Sequence, residues 1–181
     1  MIKNAPGLLL LLFALASCGE RETHSTQAVP EPQPIAVPGM ANTVRVGEVL
    51  FGGQPSQEAL RGLKSQGYKT VLSTRGSDEL AWDEKALLDS LGLRFVSIPM
   101  ETPVTAITDD QVNRFADLMK TGERPMLLHC GSGNRVAGLW AVWLVEQQGV
   151  SRYEALRLGE QAGMTGILPV VQKRLGLQVG E

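Results

Sequence analysis

The sequence predicts an α/β domain in which helices flank a largely parallel sheet. From Thr43 onward, short runs of β-branched and apolar residues alternate with longer segments whose apolar residues recur at helical spacing. The chain has 181 residues, 43% hydrophobic and 20% charged, which suits one globular core and an appendage. The stretch LLHCGSGNRVAGLW, residues 127–140, places a thiol between an apolar run and a glycine-containing turn. Ligands of α/β folds tend to bind where strands end in this way.

The strand predictions rest on short apolar runs that end at turn residues. After the first runs, Gly52, Gly53, Gln54 and Pro55 turn the chain. The run at residues 68–72 carries β-branched residues, as expected of a buried strand, and the last, short apolar run ends at the thiol. We predict strands at residues 44–46, 49–51, 68–72, 93–98 and 126–129.

The helix predictions rest on caps and on apolar periodicity. Ser56 caps the first helix and Gly67 ends it, whereas Gly92 ends the second. Thr108 with Gln111, and Ser151 with Glu154, have the spacing of capping boxes. We predict helices at residues 56–67, 80–91, 108–120, 136–145, 151–163 and 170–175, of which 136–145 is apolar nearly all round and therefore central.

The N-terminus has the pattern of a targeting segment. Lys3 precedes an apolar stretch at residues 8–16, which is shorter than the roughly 20 residues of a membrane-spanning helix. It ends in Leu-Ala-Ser-Cys, residues 15–18, which resembles a bacterial lipobox. The resemblance implies cleavage before Cys18, a lipid on its sulfur, and a place in the bacterial cell envelope facing the periplasm. The alternative is a secreted protein with a chance cysteine at this position.

Composition divides the remaining chain into a tether and a domain. Residues 18–42 are polar, contain four prolines at positions 30, 32, 34 and 38, and show no apolar periodicity, which predicts an extended tether after a signal peptide at residues 1–17. The folded domain is predicted at 43–181. A net charge of −2 gives no reason to expect a nucleic-acid partner. With Cys18 lipidated, Cys130 is the only free thiol of the mature chain.

The turn after the last strand is predicted to bind an anion. Gly131 and Gly133 allow a tight turn with inward-pointing N–H groups, and the following helix adds its positive end. Arg135 offers a planar fork for two oxygens of a tetrahedral anion. A thiol in this field is expected to be acidified, which would make Cys130 a nucleophile. The alternative is a small buried hydrophobic cysteine. We interpret His129 as a supporting residue whose ring hydrogen-bonds the backbone of the loop.

The motif HCGSGNR is similar to the phosphate loop of cysteine-dependent protein phosphatases. The upstream stretch GGQPSQEALRGLKSQGYKTVLSTRG resembles bacterial dual-specificity-like phosphatase domains, in particular the "beta-lactamase hydrolase-like protein phosphatase-like" family. The similarity covers residues 44–175 and implies the three-layer fold of the tyrosine phosphatase superfamily. It also implies a nucleophile, a phosphoryl clamp, loop amides that bind phosphate, and an arginine near the opening of the site; these are Cys130, Arg135, the amides of Gly131, Ser132, Gly133 and Asn134, and Arg75.

The sequence departs from the usual tyrosine-phosphatase loop in two ways. Four residues rather than five separate Cys130 from Arg135, a length that also occurs in rhodanese-type sulfurtransferases. Val136 stands where most of these phosphatases have a hydroxyl that stabilises the departing thiolate. Turnover is therefore expected to be slow unless Ser132 substitutes.

Phosphoester hydrolysis also needs an acid for the leaving group. Glu101 follows a strand end, about where such phosphatases place their mobile acid loop, although an exposed loop charge is the competing interpretation. Asp109 and Asp110 are expected to stabilise a helix N-terminus instead.

The resemblance implies hydrolysis of a phosphomonoester, phosphotyrosine-like, through a cysteinyl-phosphate intermediate. The substrate would be a phosphorylated small molecule or a phosphoprotein, and no metal or organic cofactor is required. Two alternatives stay open: a sulfurtransferase that carries a persulfide on Cys130, and a pseudo-phosphatase that binds a phosphorylated ligand without turning it over.

Overall fold

A computed structural model of the protein describes Met1 and residues 28–177. Its centre is a six-stranded sheet with the order β1-β2-β3-β6-β4-β5. The strands β3, β6, β4 and β5 run parallel, and β1 and β2 add an antiparallel edge. The strands are β1 (Gln33–Pro34), β2 (Val44–Val46), β3 (Val49–Gly52), β4 (Thr70–Ser73), β5 (Arg94–Ser97) and β6 (Met126–His129).

Six helices cover the two faces of the sheet. Two of them pack with Leu50, Val71 and Leu127 on one face, and the others pack with Leu72 and Leu128 on the opposite face. Adjacent residues of one strand thus serve opposite cores, as the two-residue period of a strand requires. The helices are α1 (Gln57–Ser65), α2 (Glu84–Ser90), α3 (Asp109–Thr121), α4 (Asn134–Gln148), α5 (Arg152–Gln161) and α6 (Leu168–Arg174).

The architecture confirms the predicted three-layer α/β fold, and the differences lie at element ends. The capping box of Thr108 and Gln111 opens α3, and Ser151 caps α5. The helix predicted at 80–91 begins only at Glu84, because Asp83 is its N-cap and a short 3-10 turn at Ser77–Glu79 precedes it. The central helix α4 begins two residues earlier than predicted, immediately after the left-handed Gly133.

The described part of the predicted tether belongs to the folded domain, so the boundary at residue 43 is too late. Strand β1 pairs with β2, and Ile35, Val37 and Met40 pack against the core around Leu50. The spaced prolines made this segment look unstructured in the sequence. A two-residue strand at a sheet edge nevertheless tolerates proline, because it has only one neighbouring strand. The predicted signal peptide at 1–17, beyond Met1, and the proposed lipidation site Cys18 lie outside the described residues.

Among the residues that the structure describes, no helix is both long enough and apolar enough to cross a membrane.

The central helix α4 approaches α6 closely at a glycine. A Cβ on Gly138 would stand 2.8 Å from Cγ2 of Ile167 and 3.1 Å from Cγ2 of Val171, closer than carbon atoms pack. Gly138 thus lets two helices of the core meet.

We predict that Gly138→Ala destabilises the domain by about 1–3 kcal/mol through overpacking. The matched control is Gly62→Ala in α1, where a Cβ would meet nothing within 4 Å; it should stabilise by about 0.5–1 kcal/mol, the helix-propensity difference. Urea unfolding of both variants measures these changes. Equal effects at the two positions would contradict the packing argument.

Candidate active site

The residues Cys130 to Gly133 form the loop between β6 and α4, at the carboxyl end of the central strand. Neighbouring segments hold this loop in place. The amide of Cys130 donates to the carbonyl of Gly52 at 3.4 Å, and the amide of Gln54 donates to the carbonyl of Gly131 at 3.3 Å. The side-chain amide of Asn42 donates to the carbonyl of Ser132 at 3.0 Å.

The thiol of Cys130 is buried at the base of this loop, 1% exposed. The amide of Gly133 donates to its Sγ at 3.1 Å. Gly133 has a φ of +92°, and a Cβ there would stand 3.4 Å from the carbonyl carbon of Gly52. Glycine at 133 therefore both allows the backbone conformation and keeps an N–H directed at the sulfur.

The N-terminus of α4 is fixed by the side chain of Asn134, which turns away from the loop. Its Oδ1 accepts from the amide of Thr165 at 2.8 Å and from the amide of Ile167 at 3.2 Å. This anchors the helix whose positive end lies under the loop. Gly131 and Ser132 are exposed at the top of the loop.

Arg135 is buried, 8% exposed, and bound by a carboxylate. Its Nη1 donates to Oε1 of Glu79 at 2.6 Å and its Nη2 to Oε2 at 2.5 Å, and Nη1 also donates to the carbonyl of Met100 at 2.8 Å. The hydrogen bonds from Arg135 lower the pKa of Glu79 to about 2, and the same contact raises the pKa of Arg135. Glu79 is thus ionised throughout the ordinary pH range and cannot donate a proton.

Arg75 lies beside this pair and connects it to the opposite side of the sheet. Its Nη2 donates to the carbonyl of Glu79, and its Nε lies 3.5 Å from Oε2 of Glu79. Its Nη1 donates to Oε1 of Gln54 at 2.8 Å. Gln54 in turn donates to Oε1 of Glu84 at 2.8 Å.

His129 supports the site in a different way from the one predicted. Its ring is fully buried, and Nε2 lies 3.3 Å from Oε1 of the buried Glu84. Neither ring nitrogen hydrogen-bonds the loop backbone among the described residues. Side chains alternate along β6, so His129 points to the face covered by α2 whereas the next residue points into the loop. Burial alone would raise the pKa of Glu84, but its contacts with His129 and Gln54 and the charge of Arg75 together lower it.

The remaining candidates occupy several positions around the site. Glu101 is exposed, one residue after the carbonyl that Arg135 binds. Val136 is fully buried, and because it is a valine it supplies no hydroxyl to the site. Asp109 and Asp110, in the first turn of α3, pair with Arg174 at 2.6 Å and with Arg114 at 3.5 Å.

Sequence reasoning missed Glu79, Gln54 and Glu84. The first lies in an irregular loop with no periodicity, and the second was interpreted only as part of a turn. Glu84 carries no distinct signal, because an acidic residue in the first helical turn is common and its burial, 5% exposed, is seen only in the structure. Burial of a carboxylate indicates a specific partner.

A family model for the DSP-PTPase phosphatase fused to NAD+ kinase matches residues 38–167, which include the loop, Arg75, Glu79, Glu101 and Arg135. Two curated proteins are similar to part of the chain. The probable NAD kinase 2 of rice chloroplasts (Oryza sativa subsp. japonica) is 34% identical over 117 residues, which is 60% of this chain and 12% of that protein. The beta-lactamase hydrolase-like protein of Xylella fastidiosa is 28% identical over 120 residues, 64% of this chain and 27% of that protein. The chain therefore spans about a quarter or less of the length of these relatives.

Among solved structures, that of TpbA from P. aeruginosa in complex with pTyr has the same fold. The TM-score is 0.62 at 20% identity, with 83% of this chain and 97% of that chain covered. The fold, the loop and the family model agree: this chain belongs to the DSP-PTPase phosphatase family and carries a cysteine-based phosphatase domain of the tyrosine and dual-specificity type.

Proposed function

We propose that the protein hydrolyses a phosphomonoester through a cysteinyl-phosphate intermediate on Cys130. The observation that supports this best is the N–H of Gly133 directed at the buried sulfur, 3.1 Å away, at the start of a helix. This contact directs a hydrogen-bond donor at the atom that would attack phosphorus. The amides of Gly131, Ser132, Gly133 and Asn134 would then donate hydrogen bonds to the oxygens of the bound phosphoryl group.

Arg135 keeps the groups that a phosphoryl clamp needs. A guanidinium has five N–H groups, and the contacts described above use both on Nη1 and one on Nη2. The Nε–H and the second Nη2–H remain, and together they form a planar fork that matches two phosphoryl oxygens. Nη2 lies 3.7 Å from where a Cβ on Gly131 would stand, so this edge borders the loop. Glu79 therefore positions Arg135 without occupying the edge that binds substrate.

The reaction proceeds in two steps. The Cys130 thiolate attacks phosphorus in line, an S–P bond forms, and the bond from phosphorus to the ester oxygen breaks. Glu101 gives its proton to that leaving oxygen; its position next to Met100, whose carbonyl binds Arg135, supports this assignment, and the ionised Glu79 is not available for it. Water then attacks phosphorus and gives a proton to the Glu101 carboxylate, the S–P bond breaks to return the Cys130 thiolate, and inorganic phosphate leaves.

The substrate we propose is phosphotyrosine-like, in a phosphoprotein or a small molecule. An aryl oxide is a good leaving group and needs the least help from an acid, which suits a site whose proposed proton donor lies on an exposed loop. The pTyr complex of the structural neighbour TpbA supports this substrate class.

We also propose that the protein is anchored by lipid on Cys18 in a bacterial cell envelope. The lipobox-like residues 15–18 support this placement.

One observation supports a second function, that of a phospho-ligand-binding pseudo-phosphatase. Val136 places only hydrocarbon where a hydroxyl would assist the breakdown of the intermediate, and it is fully buried. A domain with this residue could bind or trap a phosphoryl group with little turnover. The family match does not favour the sulfurtransferase alternative.

We predict that Cys130→Ser abolishes release of phosphate from p-nitrophenyl phosphate while ligand binding persists. A serine hydroxyl is ionised far less readily than a thiol, so a loss of at least about 10³-fold is expected. Mass spectrometry of the unsubstituted protein after brief exposure to substrate should show a phosphate adduct on Cys130. Unchanged hydrolysis would refute the nucleophile assignment, and thiocyanate formation from thiosulfate and cyanide without phosphate release would indicate a sulfurtransferase.

We predict that Glu79→Gln lowers kcat/KM by about 10- to 100-fold, the cost of losing a charge-assisted pair that orients Arg135. The neighbouring Asp78→Asn removes the same charge without touching Arg135 and should change kcat/KM with small aryl phosphates less than about twofold. Equal losses in the two variants would show that the charge, and not the hydrogen-bonded geometry, matters.

The same pair predicts a pH dependence of stability. The pKa of Glu79 falls from its ordinary value of 4.5 to about 2 on folding, so its stabilising contribution is complete above pH 4.5 and is lost as pH falls towards 2. The difference in unfolding free energy between the unsubstituted protein and Glu79→Gln should shrink over this range. Urea titrations at a series of pH values test this, and a difference that is constant with pH would contradict it.

We predict that Val136→Thr accelerates breakdown of the phosphoenzyme several-fold by supplying the missing hydroxyl. Burst kinetics with p-nitrophenyl phosphate should show a faster steady state and an unchanged first phase. Val142→Thr, at another fully buried position of α4, is the control: it carries the same cost of about 1–3 kcal/mol for a buried hydroxyl but no kinetic gain. A steady state as slow as that of the control would exclude this role for position 136.

A further inference from the structure

The walls around the loop determine what can accompany the phosphoryl group of a substrate. We define the mouth of the site as the segments that contact the loop, Asn134 or Arg135, extended to their nearest turns: residues 41–42, 53–55, 75–83, 99–103 and 164–166. The first two and the last contain no charged residue. The other two contain all the charged groups of the mouth, which are Arg75, Asp78, Glu79, Asp83 and Glu101.

The single cation of the mouth, Arg75, is already bound by protein groups. It donates to Gln54 and to the carbonyl of Glu79, its Nε lies 3.5 Å from the carboxylate of Glu79, and its side chain is 13% exposed. Lys85, two residues beyond the mouth, lies 2.5 Å from Oδ2 of Asp89. Within the described residues of the mouth, then, the charge of Arg75 is offset by that of Glu79.

Unlike Arg75, some carboxylates of the mouth are exposed to solvent. Asp78 and Asp83 are exposed, and Asp78 is adjacent in sequence to Glu79, which binds Arg135. A group that extends from a phosphoryl bound at Cys130 thus enters a mouth in which these carboxylates are the exposed charges and Arg75 is offset by Glu79. A second anion there would be repelled, whereas a cation would be attracted, and both effects weaken as salt increases.

From this distribution of charge we infer that the site selects phosphomonoesters whose surroundings are neutral or cationic, and discriminates against substrates with a second phosphate or with acidic flanks. This inference rests on the proposed phosphatase function and narrows its substrate class to a phosphorylated aromatic side chain within a basic or neutral segment. The Arg135 guanidinium, beside Cys130, binds only the phosphoryl group that is transferred.

The test uses two phosphotyrosyl peptides of equal length, one with lysines and one with glutamates on both sides of the phosphotyrosine. At low ionic strength, kcat/KM should be at least about tenfold higher for the lysine peptide, and the ratio should fall as salt rises. Asp78→Lys should reduce the ratio several-fold and leave hydrolysis of p-nitrophenyl phosphate unchanged. The matched control is Glu123→Lys, the same charge change at an exposed position before β6, at the opposite pole of the sheet, which should leave the ratio unchanged.

Equal or better turnover of the glutamate peptide would overturn the inference, as would an Asp78→Lys ratio identical to that of Glu123→Lys. Failure of the proposed function has a separate signature, which is absence of Cys130-dependent hydrolysis of p-nitrophenyl phosphate. In that case the affinities of Cys130→Ser for the two peptides decide the question: tighter binding of the lysine peptide supports the inference, and equal or weaker binding overturns it.

Discussion

The pairing of Arg135 with Glu79 is the interaction on which the active-site geometry depends. Arginine is flexible and loses much rotamer freedom when it is fixed, so a clamp needs a partner that holds it before substrate arrives. Arg135 donates two hydrogen bonds to the carboxylate of Glu79 and one to the carbonyl of Met100, and these acceptors hold it in place. They come from loops after β4 and β5, so the clamp is oriented only when the sheet has brought three strand ends together.

The site therefore lies at the carboxyl edge of the sheet, where its side chains contact one another in sequence. Arg75 contacts Glu79 on one side and Gln54 on the other, and Gln54 leads through Glu84 to His129, the neighbour of Cys130. Arg135 completes this series of contacts next to the loop. Buried polar groups are stable only when their partners are present, so each contact depends on the next. This explains why residues remote from the thiol in sequence belong to its environment.

Much of the fold and of the active-site loop could be predicted from local sequence patterns. The loop from Cys130 to Arg135 was recognisable because residue type, glycine spacing and a strand-to-helix junction all occur within a few positions. The capped helices were predicted for the same reason. What was missed depends on long-range packing: Glu79 is 56 residues from Arg135, and the partner of His129 is decided by which face of β6 its ring occupies. The segment before Asn42 was misjudged because its proline spacing conceals a strand that only pairing with β2 defines.

Strand β1 affects whether copies of the protein can pair through the edges of their sheets. Strand β1 covers one margin of the sheet with only two residues, and one of them, Pro34, has no N–H to offer to an incoming chain. A short margin with a missing donor is a poor template for intermolecular β-pairing, the route by which exposed sheets polymerise. The prolines that disguise this segment in the sequence thus protect the β1 margin against aggregation.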